Sequence, residues 1–288
     1  MTESFQRKGL ESPRLMAELL VAHVIGCERL RLYMDADRPA SELERATLRD
    51  LVARALRHEP VQYLVREAWF FGLPFHVDPR VLVPRPSTET IVQAVLQHAR
   101  VEPGGGGRTG AGVLFADLCT GSGCVAVALL KNLPEARGVG TDISPEALEV
   151  AAANARRHGV ADRIDLVRGD LLEPLAAHPA ARAHGSLAYL VANPPYIPDH
   201  EWDEVPPNVK EHEPTIALRG GADGLALVRP VIEGAGVYLR PRGLLLVEIA
   251  ESTAEAALAL ARARPELTGA EVLPDFEGRP RVVRAARA

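Results

Sequence analysis

The sequence has few cysteines and no long apolar run, and both shortages restrict what the protein can be. Its three cysteines, at positions 27, 119 and 124, are too few and too scattered for a disulfide framework. No Cys/His spacing indicates zinc, so we expect no metal site. The apolar runs fall short of the roughly 20 residues that cross a bilayer. Residues 1–14 also lack the apolar core of a signal peptide. We therefore expect a cytoplasmic protein without a membrane span.

The sequence also lacks an excess of basic residues. Its 33 Lys and Arg are outnumbered by 38 Asp and Glu, which gives a formal net charge of −5. Proteins that bind nucleic acid directly need a basic surface to neutralise phosphates. We therefore expect no direct nucleic-acid binding, whereas a protein partner is compatible with this charge. The length of 288 residues allows one large domain or two smaller ones.

Residues 1–64 have the pattern of a small helical domain. The stretch SPRLMAELLVAHVIG begins with Ser12 as a predicted N-cap and ends at Gly26. The stretch SELERATLRDLVARALRHE begins with a predicted capping box between Ser41 and Glu44. Apolar residues recur along one face of each stretch, so we predict helices that pack on each other.

Residues 65–86 are rich in aromatic, β-branched and turn-forming residues, which predicts a short hairpin and a linker. The remaining residues, 87–288, begin with a helix that Ser87 is predicted to cap. The glycine-rich stretch 102–112 predicts a surface loop rather than a domain boundary.

From Val113 onward, apolar strand patterns alternate with helix patterns. Such alternation predicts an α/β fold, in which a mostly parallel sheet carries helices on both faces. Ligands bind such sheets beyond the carboxyl ends of the strands. Four polar positions fall at predicted strand ends, and we expect them to line a binding site: Asp117, Asp142, Asp170 and Asn193.

The stretch ADLCTGSGCVAVALL places Gly121 and Gly123 between a strand and a helix, where the main chain can turn tightly and approach a ligand. It satisfies the G-x-G-x-x-A pattern, and Asp142 follows at the distance, about 20 residues, where a carboxylate binds ribose hydroxyls. A nicotinamide dinucleotide and S-adenosylmethionine both fit this pattern, and a plain turn is the third interpretation. Asp117 favours S-adenosylmethionine, because its charge would repel a pyrophosphate and attract a sulfonium.

A second motif, Asn193-Pro194-Pro195-Tyr196, ends the apolar strand predicted over residues 187–192. Prolines cannot continue a ladder, so they hold Asn193 in a stiff corner at the strand end. The side-chain carbonyl of Asn193 and the backbone carbonyl of Pro194 can accept the hydrogens of a planar NH2 group. Tyr196 offers an apolar face for such a group. The motif therefore predicts methyl transfer to a planar nitrogen, unless it is only a turn.

These motifs together resemble a known family. The run from Asp117 to Gly123, followed by Asn-Pro-Pro-Tyr, is similar to the class I, Rossmann-like methyltransferases that act on planar nitrogens. Three further features narrow the resemblance to the release factor glutamine methyltransferases (the PrmC, formerly HemK, family). They are EPVQYL with FFGLPFHVDPRVLVPRPSTETIV, the stretch HEPTIALRGGADGLALVRPVIEGAGVYL, and the helical start. The resemblance covers nearly the whole chain.

The resemblance implies transfer of a methyl group from S-adenosylmethionine to the side-chain nitrogen of one glutamine. That glutamine belongs to the Gly-Gly-Gln loop of class 1 peptide chain release factors. Residues 1–64 are then expected to recognise the release factor, and residues 87–288 to form the methyltransferase domain. The expected glutamine-binding residues are Asn193, Pro194, Pro195 and Tyr196. The residues expected to bind S-adenosylmethionine, from the motifs and the resemblance together, are Asp117, Cys119, Thr120, Gly121, Ser122, Gly123, Asp142, Asp170, Leu171 and Asn193.

Alternatives remain open at this point. Cys119 stands where family members often have glycine, and its Cys-Thr-Gly-Ser-Gly-Cys run is also similar to enzymes that methylate a glutamine of a large-subunit ribosomal protein. A DNA adenine methyltransferase would act on the same kind of planar amino group, although the charge of −5 counts against it. A non-catalytic nucleotide-binding module is the third alternative. We expect a monomer, and the sequence assigns no role to Arg85, His212 or Glu248.

Overall fold

The computed structural model describes residues 1–35, 37–102, 105–182 and 185–288. Its N-terminal part is helical, as the sequence predicts. The helices there are α1 (Thr2–Arg7), α2 (Pro13–Ile25), α3 (Arg31–Met34), α4 (Glu42–Ala55) and α5 (Val61–Val65). Apolar side chains of α1, α2, α4 and α5 form a small core of their own, which includes Phe5, Leu20, Leu51 and Leu64.

The two predicted helix starts behave differently. At α4 the capping box is confirmed: the Glu44 N–H donates to Ser41 Oγ at 3.2 Å, and the Ser41 N–H donates to the Glu44 carboxylate at 2.7 Å. Ser12 is the N-cap of α2, as predicted, but its side chain makes no capping hydrogen bond. Its φ of 46° is left-handed, whereas a capping serine needs an extended backbone to reach the helix N–H groups.

The predicted hairpin consists of β1 (Glu67–Phe70) and β2 (Leu73–His76), which pair antiparallel. A 3-10 turn, Pro86–Thr88, then leads into α6 (Glu89–Val101). Ser87 lies inside that turn, so the prediction that it caps the helix is wrong. The predicted helix is present, and it buries an apolar stripe of Ile91, Val92, Val95 and Leu96. Residues 103 and 104 of the glycine-rich stretch lie outside the described residues.

The strands that follow form a seven-stranded sheet in the described residues, with the order β5-β4-β3-β6-β7-β9-β8. They are β3 (Leu114–Leu118), β4 (Arg137–Asp142), β5 (Ile164–Arg168), β6 (Leu187–Ala192), β7 (Leu239–Glu248), β8 (Leu267–Pro274) and β9 (Pro280–Arg287). Strands β3 to β7 pair in parallel, and β9 pairs antiparallel with both β7 and β8. The accompanying helices are α7 (Cys124–Asn132), α8 (Pro145–Arg157), α9 (Glu173–Ala177), α10 (Pro207–Lys210), α11 (Val228–Tyr238) and α12 (Ala254–Arg262). The predicted fold class is confirmed.

Helices cover both faces of this sheet. Buried side chains of α6, α7 and α8 belong to the core on one face, and those of α11 and α12 to the core on the other. Every residue of β6 is buried, as expected for a central parallel strand. The covered faces leave the carboxyl ends of β3 to β6 as the place where a ligand can reach the sheet. Among the described residues, no helix is long and apolar enough to cross a membrane.

The β-branched run near RVVRAA predicts one closing strand, which corresponds to β9. The structure has a second strand in this region, β8, at the edge of the sheet beside β9. It contains Gly269 and exposes Thr268 and Glu271. An edge strand needs no continuous apolar pattern, because water covers part of it, so β8 lacks the signal that marks the central strands.

Candidate active site

A cavity of about 240 Å³, called here the first cavity, lies at the carboxyl ends of β3, β4, β5 and β6. Most of the predicted site residues line it: Asp117, Cys119, Thr120, Gly121, Ser122, Asp142, Asp170, Leu171, Asn193 and Pro195. Three predicted residues are not in its lining, namely Gly123, Pro194 and Tyr196. The strand-end positions chosen from sequence therefore come together in space.

The turn between β3 and α7 needs an unusual backbone. Cys119, Gly121 and Gly123 have φ values of 55°, 55° and 77°, a left-handed conformation that favours glycine. A Cβ on Gly123 would lie 3.1 Å from the Cβ of Ala151 on α8, so this glycine allows close packing of two helices. A Cβ on Gly121 would meet only the Cys119 carbonyl, at 3.9 Å, so there the backbone is open to a ligand.

Asp117 is a buried carboxylate behind this turn, with 2% of its surface exposed. Its Oδ2 accepts hydrogen bonds from Thr120 Oγ1 at 2.7 Å and from the Ala126 N–H at 3.2 Å. Burial raises the pKa of Asp117 to about 7, and the two hydrogen bonds oppose that shift. A positive charge bound in the first cavity would favour the ionised form further.

Asp142 lies at the end of β4 and holds the backbone on both sides of it. Its Oδ2 accepts from the Gly121 N–H at 2.9 Å, and its Oδ1 accepts from the Ser144 N–H at 3.0 Å. A carboxylate has about four acceptor positions, so both oxygens can still accept a hydroxyl hydrogen. Burial raises the pKa of Asp142, and the backbone hydrogen bonds oppose the rise. Asp170 is exposed at the rim of the cavity.

Asn193 lies on a wall between two cavities. A second cavity of about 210 Å³ adjoins the first, and Asn193 lines both. The side-chain Nδ2 of Asn193 donates to Thr88 Oγ1 at 3.2 Å, so its Oδ1 is the end of the amide that can accept from a ligand. The shared wall consists of Leu82, Arg85, Asn193 and Ala217, and the second cavity is completed by Tyr196, Ile197, Val205, Pro206, Val209 and Leu218.

Tyr196 lines the second cavity and is tied to a buried acid behind it. Its hydroxyl donates to Glu248 Oε1 at 3.1 Å. Glu248 ends β7, has no exposed surface and lines neither cavity. Burial raises the pKa of both groups. The phenol therefore stays protonated, and its ring is held in one orientation.

An ion pair joins the linker to the loop that covers the second cavity. An Arg85 guanidinium nitrogen lies 2.5 Å from Glu213 Oε1, and the Glu213 side chain has no exposed surface. The second oxygen of Glu213 accepts from the Val83 N–H at 3.1 Å. Burial raises the pKa of Glu213, and Arg85 opposes the rise. His212 Nε2 lies 2.9 Å from the Arg57 carbonyl, which connects this loop to the N-terminal helices.

The chemistry of the first cavity fits a cationic nucleoside. Three carboxylates line it, at Asp117, Asp142 and Asp170. They would repel the pyrophosphate of a dinucleotide and stabilise a sulfonium or an amine. In the parts of the chain that the structure describes, no cluster of three His, Cys, Asp or Glu side chains could hold a metal ion.

Comparison with known proteins agrees with this chemistry. The family model of the PrmC N-terminal domain matches residues 1–65, and that of a methyltransferase domain matches residues 115–211. The chain is 42% identical over 253 residues to the release factor glutamine methyltransferase of Geobacter sulfurreducens, across 88% of this chain and 82% of that protein. This chain belongs to the release factor glutamine methyltransferase family. The protein of that name from Moorella thermoacetica is 40% identical over 279 residues, across 97% of this chain and 93% of its own length.

Membership of this family settles the enzyme class. The chain is an S-adenosylmethionine-dependent methyltransferase, as the sequence predicts. Among solved structures, a methyltransferase from Pyrococcus furiosus matches with a TM-score of 0.52 and 16% identity, over 82% of this chain and 98% of that one. At that identity the match supports the fold alone.

Two residues that organise the site were missed or left without a role by the sequence. Thr88 is 2% exposed and holds the amide of Asn193, yet it lies in a turn whose sequence gives no sign of a polar partner. The sequence assigns no role to Glu248, although an acid at the end of an apolar strand is the same signal that identifies Asp117. Its partner Tyr196 is 52 positions away, and no local pattern indicates that pairing.

Proposed function

We propose that this enzyme transfers the methyl group of S-adenosylmethionine to the side-chain amide nitrogen of the glutamine in the Gly-Gly-Gln motif of class 1 release factors. One observation carries the proposal: Asn193 lines two adjoining cavities, so it can meet a donor in one and an amide in the other. The family to which the chain belongs supports the choice of a glutamine.

The first cavity would hold S-adenosylmethionine, which supplies an electrophilic methyl group on a positively charged sulfur. We propose that Asp142 accepts hydrogen bonds from the ribose hydroxyls and that Asp170 and Leu171 flank the adenine. Asp117 is buried, and its carboxylate lies where it can balance the positive charge of the bound donor. The open space beside Gly121 lets the ligand approach the main chain of the turn.

The acceptor nitrogen is a poor nucleophile, because the lone pair of an amide is delocalised. We propose that Asn193 Oδ1 and the Pro194 carbonyl accept its two hydrogens, which holds the nitrogen in line with the methyl group. Pro194 and Pro195 fix these two acceptors without further ordering on binding. Catalysis then comes from orientation and from exclusion of water, and no side chain has to change its charge.

The second cavity would receive the glutamine side chain. Its lining is largely apolar, with Leu82, Val205 and Val209 among the lining residues, and it suits the methylene groups of a glutamine. The ring of Tyr196 provides one wall. Arg85 on the shared wall is paired with the buried Glu213 carboxyl, so a neutral amide does not face an unpaired cation.

We also propose that residues 1–64 recognise the release factor, with residues 65–86 as a linker to the methyltransferase domain formed by residues 87–288. The enzyme is expected to act as a monomer, without direct contacts to nucleic acid, since its net charge is −5. We expect the reaction in the cytoplasm, because release factors work on ribosomes.

The decisive experiment incubates the purified enzyme with radiolabelled S-adenosylmethionine and a class 1 release factor. One glutamine should be labelled, and labelling should disappear when that glutamine is replaced by alanine. Labelling that survives this replacement would overturn the proposal. Large-subunit ribosomal proteins and duplex DNA are assayed in parallel, because incorporation there at a higher rate would favour the two alternative substrates.

A further inference from the structure

Two members of the Asn-Pro-Pro-Tyr motif lead to the same buried carboxylate. Tyr196 donates its hydroxyl hydrogen to Glu248 Oε1 at 3.1 Å, and Asn193 donates from Nδ2 to Thr88 Oγ1 at 3.2 Å. Thr88 and Glu248 are buried, with 2% and 0% of their surfaces exposed. The hydroxyls of Thr88 and Tyr196 both favour the ionised form of Glu248, against the rise in its pKa that burial causes. Hydrogen bonds therefore link Asn193 to Thr88 and Tyr196 to Glu248, and the Thr88 hydroxyl is near enough to Glu248 to lower its pKa.

The hydrogen-bonding capacity of each group gives this chain of contacts a direction. An ionised carboxylate only accepts, a threonine hydroxyl has one hydrogen to donate, and a primary amide has a donor end and an acceptor end. A Thr88 hydroxyl that donates to Glu248 presents only its oxygen to Asn193. Asn193 must then turn its NH2 group towards Thr88, which leaves its Oδ1 for a ligand.

The carboxylate has an acceptor available for this purpose. Glu248 Oε2 is the buried side-chain polar atom that lacks a hydrogen-bond partner among the residues the structure describes. An unpartnered acceptor at this depth is costly, and the Thr88 hydrogen can satisfy it. Burial raises the pKa of Glu248, and the charges of Arg281 and Arg85 oppose the rise. The proposed direction requires the ionised form of Glu248, which only accepts.

We propose that Glu248 is a positioning residue for methyl transfer, which takes the hydroxyl hydrogen of Thr88 and thereby fixes the amide of Asn193 with its oxygen towards the substrate nitrogen. Glu248 lines neither cavity and acts only through Thr88 and Tyr196. The inference rests on the proposed function of Asn193 as the acceptor of the amide hydrogens.

Replacement of Glu248 by glutamine should reverse the direction of the hydrogen bonds that orient Asn193. The NH2 group of Glu248→Gln can donate to Thr88 Oγ1, and the Thr88 hydrogen is then free to go to Asn193 Oδ1. Asn193 would present its NH2 group to the substrate NH2, and two donors cannot bond to each other. The shape of the site stays the same, because glutamate and glutamine are isosteric.

The experiment compares steady-state kinetics of release factor methylation in the wild type, Glu248→Gln, Thr88→Val, Thr88→Ser and a Glu248→Gln/Thr88→Val double variant. Glu248→Gln and Thr88→Val should each lower kcat about tenfold or more, as expected for a misdirected buried hydrogen bond. In Glu248→Gln the KM for the release factor and the Kd of S-adenosylmethionine should stay within about twofold of wild type, because Glu248 lines neither cavity. Thr88 lines the first cavity, so the Kd of S-adenosylmethionine is measured beside kcat for Thr88→Val and Thr88→Ser. Thr88→Ser, which keeps the hydroxyl, should recover most of the rate lost in Thr88→Val.

The double variant shows whether Glu248 and Thr88 act through the same hydrogen bonds or independently of each other. If both residues act through one path, the double variant loses about as much as the larger single loss. Multiplied losses would overturn the proposal, as would kcat values within about twofold of wild type in both single variants. Should Glu248→Gln fail to fold, as judged by circular dichroism, the comparison of Thr88→Val with Thr88→Ser decides, and a serine as slow as the valine counts against the proposal.

A matched control is Thr253→Val, which also removes a buried threonine hydroxyl. Thr253 donates to the Ala250 carbonyl and contacts neither cavity, so its kcat should equal that of the wild type. The proposed function is tested separately by the wild type in the same assay. If the wild type labels a ribosomal-protein glutamine instead, the variants are compared on that substrate, and the inference about Glu248 is still decided.

Discussion

Asp117 should make the binding of S-adenosylmethionine depend on pH near neutrality. Burial raises its pKa from 3.8 to about 7, so the free enzyme holds this carboxyl partly protonated at physiological pH. The proposed role of Asp117 needs the ionised form, because only a carboxylate balances the positive charge of the donor. Binding should therefore be coupled to the loss of one proton.

The size of the effect follows from that pKa. With a value of about 7, roughly nine-tenths of Asp117 is ionised at about pH 8 and roughly one-tenth at about pH 6. The affinity for S-adenosylmethionine should then fall about tenfold between those two pH values. Asp117→Asn should bind more weakly at the higher pH and should lose this dependence, since an amide does not titrate.

Isothermal titration calorimetry at the two pH values measures this dependence directly. S-adenosylhomocysteine serves as the matched ligand, because it keeps the amine and lacks the sulfonium charge. Its affinity should fall less between the two pH values, and that smaller loss measures the contribution of the amine. Equal pH dependence in the wild type and in Asp117→Asn would refute the reasoning. It would show that another group carries the titration, or that Asp117 does not face the donor.

The same pKa shift acts in the opposite sense on the stability of the free enzyme. Native Asp117 keeps its proton up to about pH 7, whereas the unfolded chain loses it near 3.8. The native state therefore binds more protons within this window, and the contribution of Asp117 to the free energy of unfolding falls as the pH rises through it.

Three further predictions concern stability, each measured by denaturant unfolding. Gly123→Ala should lower the free energy of unfolding by about 2 kcal/mol, because the new Cβ adds a close contact with α8 to the strain of the left-handed backbone. Gly121→Ala should lower it by about 1 kcal/mol, from the backbone strain alone. Equal losses would contradict the packing argument. Asn154→Leu should cost about 3 kcal/mol, because this buried amide bonds to three backbone groups, and a loss below about 1 kcal/mol would contradict it. Arg85→Met should lower the free energy of unfolding by about 3 kcal/mol at about pH 8, because it leaves Glu213 without its cation. The loss should be smaller at low pH, where Glu213 takes a proton. Adding Glu213→Gln to Arg85→Met should restore most of the lost stability.

Local patterns predict the parts of this fold that depend on neighbours in sequence. The capping box at Ser41 involves residues three apart, and the strands β3 and β6 stand out because each is a short apolar run. The strand-end positions Asp117 and Asn193 come together because the carboxyl ends of parallel strands meet at one edge. Such features need no knowledge of which distant segments touch.

The contacts that orient the site depend on distant pairs and could not be predicted. Thr88 and Asn193 are 105 positions apart, and Arg85 and Glu213 are 128 apart. Each of these residues has many polar residues as equally suitable partners in the sequence. Only the packing of α6 and of the loop after β6 against the sheet selects the actual pairs.

The position of β9 has a consequence for how the sheet is assembled. Among the described strands, β9 follows all the others in sequence, yet it lies between β7 and β8, so the outer edge of β7 remains unpaired until residues 280–287 have been synthesised. The residues of β7 from Leu244 to Val247 are almost completely buried in the finished sheet, and before then they form an exposed, apolar edge. A chain that stops before β9 should therefore aggregate rather than fold into a smaller enzyme, and the β8–β9 hairpin must add to the sheet as one unit.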